Sequence, residues 1–464
     1  MKARYRQGLE RLNLRLRQAS PSARASFASA ATEFRELLAQ GGGPELDPQL
    51  NLLVSRLNRL AWGEASTWFT DLVWRERGDG DEGALGGFDF LLLHLGERAD
   101  GGYPAALYRG PEFLNQSLDQ LQPLVTDRSS FDPAAEPVAG QLAALEEGAG
   151  YDLQALGGAL FDGLFPGPLV GAFRRVFEES LAAGNSGLRL FLQLDAPEMA
   201  VVPWEYARDP QRERILGSDV QTPLTRFVRP AAPSFNPRWQ DRLQVLVVAE
   251  WQEAWHGPNR PACLDGIREF HAEDELDNIR AALGPWEAMG VIEASLYKNL
   301  PLNRILHQIA EETPHVVHLI CHCVERDGKH CLLLTDEYGG PTFIGEDRLQ
   351  AAFAALPERR VSLVILQACE SGPDLRPGLA VSGLAPSMAR LGIPAVIAMQ
   401  YSVYLHAAQC FAAAFYAALA NNNPADVAVT AARQALQARY GTHRRDFGTP
   451  LCYVTSADAV RRYP

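Results

Sequence analysis

The sequence has no cysteine in its first 262 residues and only seven in all, scattered from Cys263 to Cys452. An odd number so placed is not the dense, paired framework of a small secreted domain, and it suits a reducing cytoplasm. No stretch approaches the roughly 18 consecutive apolar residues that a bilayer span needs. The Arg-rich start, MKARYRQGLERLNLRLRQAS, lacks the apolar centre of a secretory signal, and its Leu9, Leu12 and Leu16 fall at the spacing of an amphipathic helix. Basic residues are in deficit, 43 against 56 acidic, so the net charge repels polyanions and gives no reason to expect a nucleic-acid partner. There is no C-x2-C pair, no internal repeat and no low-complexity tract. A cytoplasmic protein with no membrane span and no metal or other cofactor is the expectation.

What is present is enough apolar residue, 47% of 464, for two or three cored domains. Residues 1–78 read as a helical module, with Phe27, Phe34, Leu37 and Leu38, then Leu52, Leu53, Leu57 and Leu60, at helical spacing around the breaker Gly41-Gly42-Gly43-Pro44. The glycine-dense, polar run Arg77 to Gly83 is a linker. From Phe88 the pattern changes to strands: FDFLLLHL and YPAALYRG flank the turn Asp100-Gly101-Gly102, and Leu188 to Leu194 alternates. Residues 85–235 form an upstream α+β subdomain that ends in a proline-rich joint at 230–237.

Residues 240–464 alternate strand and helix. Strands are expected at 243–249, 291–297, 316–322, 360–368 and 394–400, and helices at 272–288, 302–312 and 404–420. Continuous Val/Ile/Leu strands separated by helices imply an α/β fold with a mostly parallel sheet covered on both faces. In such a sheet, reactive groups collect beyond the carboxyl ends of the strands. VVHLICH finishes on His322, and RVSLVILQAC on Cys369, followed by Glu370-Ser371-Gly372. If the two strands are neighbours, imidazole and thiol meet at one rim, and the imidazole lowers the thiol pKa enough to supply a thiolate nucleophile. The two residues are 47 positions apart, with the histidine upstream and the cysteine in Gln367-Ala368-Cys369-x-x-Gly372; the caspase signature has the same order and a separation of about 50.

These motifs resemble the CHAT domain, a caspase-like fold of clan CD cysteine peptidases common in bacteria. The resemblance rests on His318-Leu319-Ile320-Cys321-His322, where the family shows His-x-x-x-His-Gly, and on Ala368-Cys369-Glu370-Ser371-Gly372. It rests also on LAVSGLAPSMARLGIPAVIAM (379–399), on the helix Phe411 to Leu419 and on AVTAARQALQA (428–438). Upstream, LRLFLQL, MAVVPWEY and TPLTRFVRP are similar to the Pro-Trp-Glu subdomain that precedes the catalytic half, so the likeness covers roughly 150–464. It implies a caspase-like catalytic domain over 240–464 and a pseudo-caspase-like subdomain over 85–235. His322 would be the catalytic histidine, Cys369 the nucleophile and His318 a structural residue. Backbone N–H groups of Cys369 and Cys323 would bind the oxyanion, although Cys323 stands where the family has glycine.

Other readings attach to several of these residues. Cys321, Cys323 and Cys331 with nearby histidines have zinc-ligand chemistry, but strand alternation sends Cys321 and Cys323 to the face opposite His318 and His322. A disulfide capping Cys369 with Cys323 has proximity as its only motive. Trp204 and Glu205 read as a core tryptophan and a buried acceptor that joins subdomains. Glu273-Asp274-Glu275-x-Asp277 reads as the solvated first turn of a helix. A basic P1 side chain would need an acidic pocket, for which Glu370, Asp374 and Asp336 are candidates; an acidic P1 would need Arg376 or Arg326. The expected protein is a cysteine endopeptidase with a protein substrate, held inactive until a protein activator or regulator acts through the N-terminal region, in bacterial antiviral defence or cell death. The alternative is a catalytically weak or inactive CHAT-fold interaction scaffold.

Overall fold

The computed structural model describes residues 87–231, 242–256, 260–265, 267, 269–326, 329–356, 361–370, 379–401, 403–457 and 459–460. The expected helical module at 1–78 and its linker lie outside the described residues.

The upstream part opens with β1 (Phe88–Leu95), β2 (Tyr103–Arg109) and β3 (Val125–Ser129), an antiparallel meander. Three helices follow, α1 (Val138–Glu147), α2 (Leu153–Leu164) and α3 (Pro168–Ala182), of which α2 is capped by the Asp152 carboxylate on the amides of Gln154 and Ala155. Next come β4 (Gly187–Leu194), the short α4 (Pro197–Ala200), a two-residue ribbon of β5 (Arg208–Asp209) with β6 (Arg214–Ile215), and β7 (Leu224–Phe227).

The downstream part supplies β8 (Leu243–Ala249), α5 (Ala272–Ala288), β9 (Ile292–Lys298), α6 (Leu302–Glu312), β10 (Val316–Arg326), β11 (Lys329–Thr335) and β12 (Pro341–Gly345). It continues with α7 (Glu346–Ala354), β13 (Leu363–Glu370), α8 (Leu379–Arg390), β14 (Ala395–Met399), α9 (Leu405–Ala420), α10 (Ala425–Tyr440) and β15 (Pro450–Val454).

One sheet of 13 strands contains both parts, in the order β12-β11-β10-β13-β14-β15-β7-β4-β1-β2-β3, with β8 and β9 branching from β10. It is mixed: β10 pairs in parallel with β13 and β8, β13 with β14, β4 with β7 and β1, and antiparallel ladders occupy the two ends and the β14·β15 pair. Strand alternation divides the downstream core. Val316, Ile320, Leu363, Ile365 and Ile397 face α5, α9 and α10, while Val317, Leu319, Cys321, Cys323, Val364 and Leu366 face α6, α7 and α8. Both faces of the sheet are therefore covered by helices, as Val/Ile/Leu runs require.

The two parts meet where β15 pairs with β7 through Tyr453↔Arg226 and Val454↔Phe227. Buried charges secure the joint. Arg226 forks onto Glu205 at 3.1 and 2.9 Å, and Arg189 onto Asp426 at 2.8 and 2.7 Å. Arg433, fully buried, donates to the carbonyls of Pro450, Leu224 and Gly217. Trp204 is a core residue whose indole donates to the Met199 carbonyl at 2.8 Å, and a Cβ on Gly217 would come within 2.1 Å of the Glu205 carbonyl. Glu205 reaches the downstream part through Arg433 at 3.8 Å, whereas the bond of Trp204 stays within the upstream part.

Candidate active site

β10 and β13 lie side by side, and their parallel register sets His322 opposite Cys369. Neighbouring strands run about 4.8 Å apart, so the two backbones are in direct lateral contact. β10 does not finish on His322, as its sequence suggests, but runs on to Arg326. Beyond Ile320 its other edge changes partner, from parallel β8 to antiparallel β11, with His322↔Leu333 and Cys323↔Leu332. Residues 329–345, which show no clear alternation, form the β11–β12 hairpin that prolongs the ladder. His322 is therefore just past the point where β8 stops and β11 takes its place, beside the segment that follows β8.

That segment walls the imidazole. The Trp251 and Phe270 rings each stand 5.1 Å from the His322 ring, at 75° and 63°. Trp251 is packed in turn on Trp255, and the Trp255 indole donates to the Gly339 carbonyl. The turn leaving β8 is clamped by Glu250, whose carboxylate accepts from Leu300 N and Thr335 N at 2.5 and 3.0 Å, and by Asn299, whose Oδ1 accepts from Trp251 N at 2.9 Å. Asn299 takes the left-handed conformation (φ 57) that a short amide side chain tolerates. Burial pushes the Glu250 carboxyl up to about 7.

His318 is a core residue bonded at both ring nitrogens, to Tyr416 Oη at 2.9 Å and Gln367 Oε1 at 3.2 Å. Gln367 Nε2 then donates to Glu275 Oε2 at 3.2 Å. Because Gln367 presents its oxygen to the imidazole, His318 Nε2 carries the proton, and Nδ1 accepts from Tyr416. Burial holds His318 down at about 4 and pushes Glu275 up to about 7. The chain Tyr416–His318–Gln367–Glu275 links α9 and α5 to the two strands that carry His322 and Cys369.

Glu275 corrects the sequence reading of its segment. Glu273, Asp274 and Asp277 are exposed, with Glu273 bonded to Lys298 and Arg280, but Glu275 is 5% exposed and faces the sheet. A helix in contact with a sheet turns one residue in three or four inward, and α5 turns Glu275 there together with Ala272, Leu276 and Ile279.

The Cys323 side chain packs into the α6–α8 face, away from His322, and Cys323 is not among the described non-glycine residues with positive φ. It neither crowds the His322 face nor needs the conformation that glycine favours. Of the expected pocket acids, Glu370 closes β13 opposite Cys323, and Asp374 lies outside the described residues together with Arg376. Asp336 is a turn residue: its Oδ1 accepts from Tyr338 N and Gly340 N at 2.8 and 2.7 Å in the β11–β12 connection. Arg326 lies over the Phe343 ring. Among the described residues no group of three or more His, Cys, Asp or Glu is arranged to hold a metal, and no single helix is long and apolar enough to cross a membrane. Trp251 and Phe270 carry no sequence signal as walls of His322, since they lie 71 and 52 positions upstream of it in irregular segments.

Residues 154–448, or 295 of the 464, match the family model described as the CHAT domain. Among solved structures the chain is similar to the Drosophila initiator caspase Dronc, at 9% identity and TM-score 0.30 over 51% of this chain and 91% of that one. It is also similar to a chain of the Saccharomyces cerevisiae separase–securin complex solved at 3.0 Å, at 9% identity and TM-score 0.41 over 83% of this chain and 31% of that one. For the same complex at 2.6 Å the values are 10% and 0.32, over 94% of this chain and 27% of that one. The chain thus spans less than a third of the length of those separase–securin chains. No curated protein matches it.

Proposed function

The chain belongs to the CHAT-domain family, and from that premise we propose that it is a caspase-like cysteine endopeptidase whose dyad is Cys369 and His322. The observation that carries the reading is the β10·β13 register, which pairs the two residues across adjacent parallel strands. In this mechanism the Cys369 thiolate attacks the scissile carbonyl carbon, and the negative charge moves to the carbonyl oxygen. Backbone N–H groups of Cys369 and Cys323 receive that oxyanion. Collapse of the tetrahedral intermediate breaks the C–N bond as the His322 imidazolium protonates the leaving amine, giving a thioester. Neutral His322 then takes a proton from water, and hydroxide attack releases the acid and regenerates the thiolate. The Trp251 and Phe270 rings hold the imidazole plane and keep bulk water from one side of it.

Within this reading 240–464 is the catalytic domain, 85–235 the upstream subdomain that buttresses it, and 1–78 a docking part for a protein activator or regulator. A protease of the cytoplasm needs such restraint, and a role in bacterial defence or cell death fits it. The test exposes the full chain to a peptide-substrate pool and candidate partner proteins, alongside Cys369→Ala, His322→Ala and a deletion of 1–78. Cleavage should vanish in both point variants, and the deletion should lose partner dependence. Substrates left intact by the wild type under every condition would put an inactive scaffold ahead.

A further inference from the structure

Most fully buried charges among the described residues come with partners of opposite sign. Arg189 pairs with Asp426 at 2.7 Å, Arg226 with Glu205 at 2.9 Å, Arg433 approaches Glu205 at 3.8 Å, and Asp209 pairs with Arg174 at 2.6 Å. Two buried carboxyls have no cationic partner among the described residues, Glu250 and Glu275, and both flank the His322 and Cys369 strands. Glu250 is compensated: each of its oxygens accepts a backbone N–H. Among the described residues Glu275 accepts a single bond, from the neutral carboxamide of Gln367. The neighbouring charge that acts on it is Asp274, which opposes its ionisation, and His318 at the far side of Gln367 is held neutral by burial.

An acid kept in apolar surroundings without a counter-charge costs stability that a neutral residue of the same shape would not. Such costs concentrate where a ligand supplies the missing charge. Glu275 is placed for that. It follows Phe270, a wall of His322, by five residues, and its hydrogen-bond donor Gln367 precedes Cys369 by two residues on β13, a span of about 7 Å. It is therefore bonded to the strand that carries Cys369 and follows the wall of His322 along the chain.

We propose that Glu275 is the specificity residue of this site and receives the cationic side chain, Arg or Lys, of the substrate residue whose carbonyl is attacked. This rests on the reading of Cys369 and His322 as the cleaving pair and deepens it. The Gln367 amide holds one carboxylate oxygen, and the His318–Tyr416 link fixes the amide. The other oxygen is left for a guanidinium or ammonium, which gains a charge-assisted bond in a water-poor site. Asp336, whose Oδ1 is engaged by its own turn, is not needed.

The test uses the full chain and fluorogenic peptides that differ only at P1: Arg, Lys, citrulline, Leu and Asp. Citrulline keeps the shape of arginine and removes its charge. The wild type should favour Arg over citrulline, and E275Q, which preserves size and the bond from Gln367, should lower kcat/KM for P1 Arg about a hundred-fold. The same variant should leave citrulline and Leu within a few-fold, and its melting temperature should show that it folds. An E275Q that keeps the wild-type Arg-to-citrulline ratio overturns the proposal, as does one that loses all substrates alike, which marks a structural role. A wild type that prefers Leu or Asp at P1 also overturns it while leaving the dyad intact. Failure of the dyad shows differently, as no cleavage of any peptide that depends on Cys369, and the specificity proposal then falls with it.

Discussion

At the scale of the residue, the two buried groups on Gln367 pull stability in opposite directions with pH. His318 is held at about 4 against an ordinary 6.5. Between these values the unfolded chain binds the proton and the folded one does not, so its contribution is lost as pH falls. Glu275 is pushed from 4.5 to about 7. In that window the folded chain holds the proton more firmly, so its contribution weakens as pH rises. E275Q isolates the second effect, because His318 and Glu250 remain in both proteins. The melting temperature of E275Q minus that of the wild type should grow as pH is raised from about 5 to about 8 and level off beyond the folded-state value. A difference that stays flat, read by calorimetry across that range, would show that Glu275 does not titrate there.

Between elements, the joint of α10 with β4 depends on the Arg189–Asp426 fork, both side chains 1% exposed. Arg189 also donates to the Ala457 carbonyl and lies over the Phe90 and Phe191 rings. Arg189→Ala leaves Asp426 as an uncompensated buried charge, and urea unfolding should register a loss of about 3–5 kcal/mol. The combination Arg189→Met with Asp426→Leu removes the charge along with its partner and should recover most of that loss. If the double variant is as unstable as the single one, packing around the guanidinium, not the orphaned carboxylate, sets the cost.

For the whole molecule, continuity of the sheet through β15 and β7 makes the two sequence-defined parts dependent on each other. A fragment of residues 242–464 loses β7, and Arg433 loses its acceptors on Gly217 and Leu224 and the charge of Glu205. We expect that fragment to lack a cooperative melt and near-ultraviolet dichroism, whereas residues 87–464 unfold in one transition. A 242–464 fragment that melts cooperatively would show that the downstream core is sufficient.

Local pattern in the sequence determined much of this. The helices at 272–288 and 302–312, the hairpin around Gly101, the apolar strands and the inward faces of β10 follow from periodicity and turn residues, which act over a few neighbours. The motif around Cys369 and the order of His322 before it were also legible, and so was the joining role of Glu205. Tertiary structure alone decided what those residues meet. The register that sets His322 against Cys369 depends on pairing between segments 47 positions apart, and the extension of β10 past His322 exists because β11 folds back on it. Glu275 reads as a solvated charge until the sheet is known to lie against it. A side chain's burial is a property of what packs on it from elsewhere in the chain, and neither composition nor period records that.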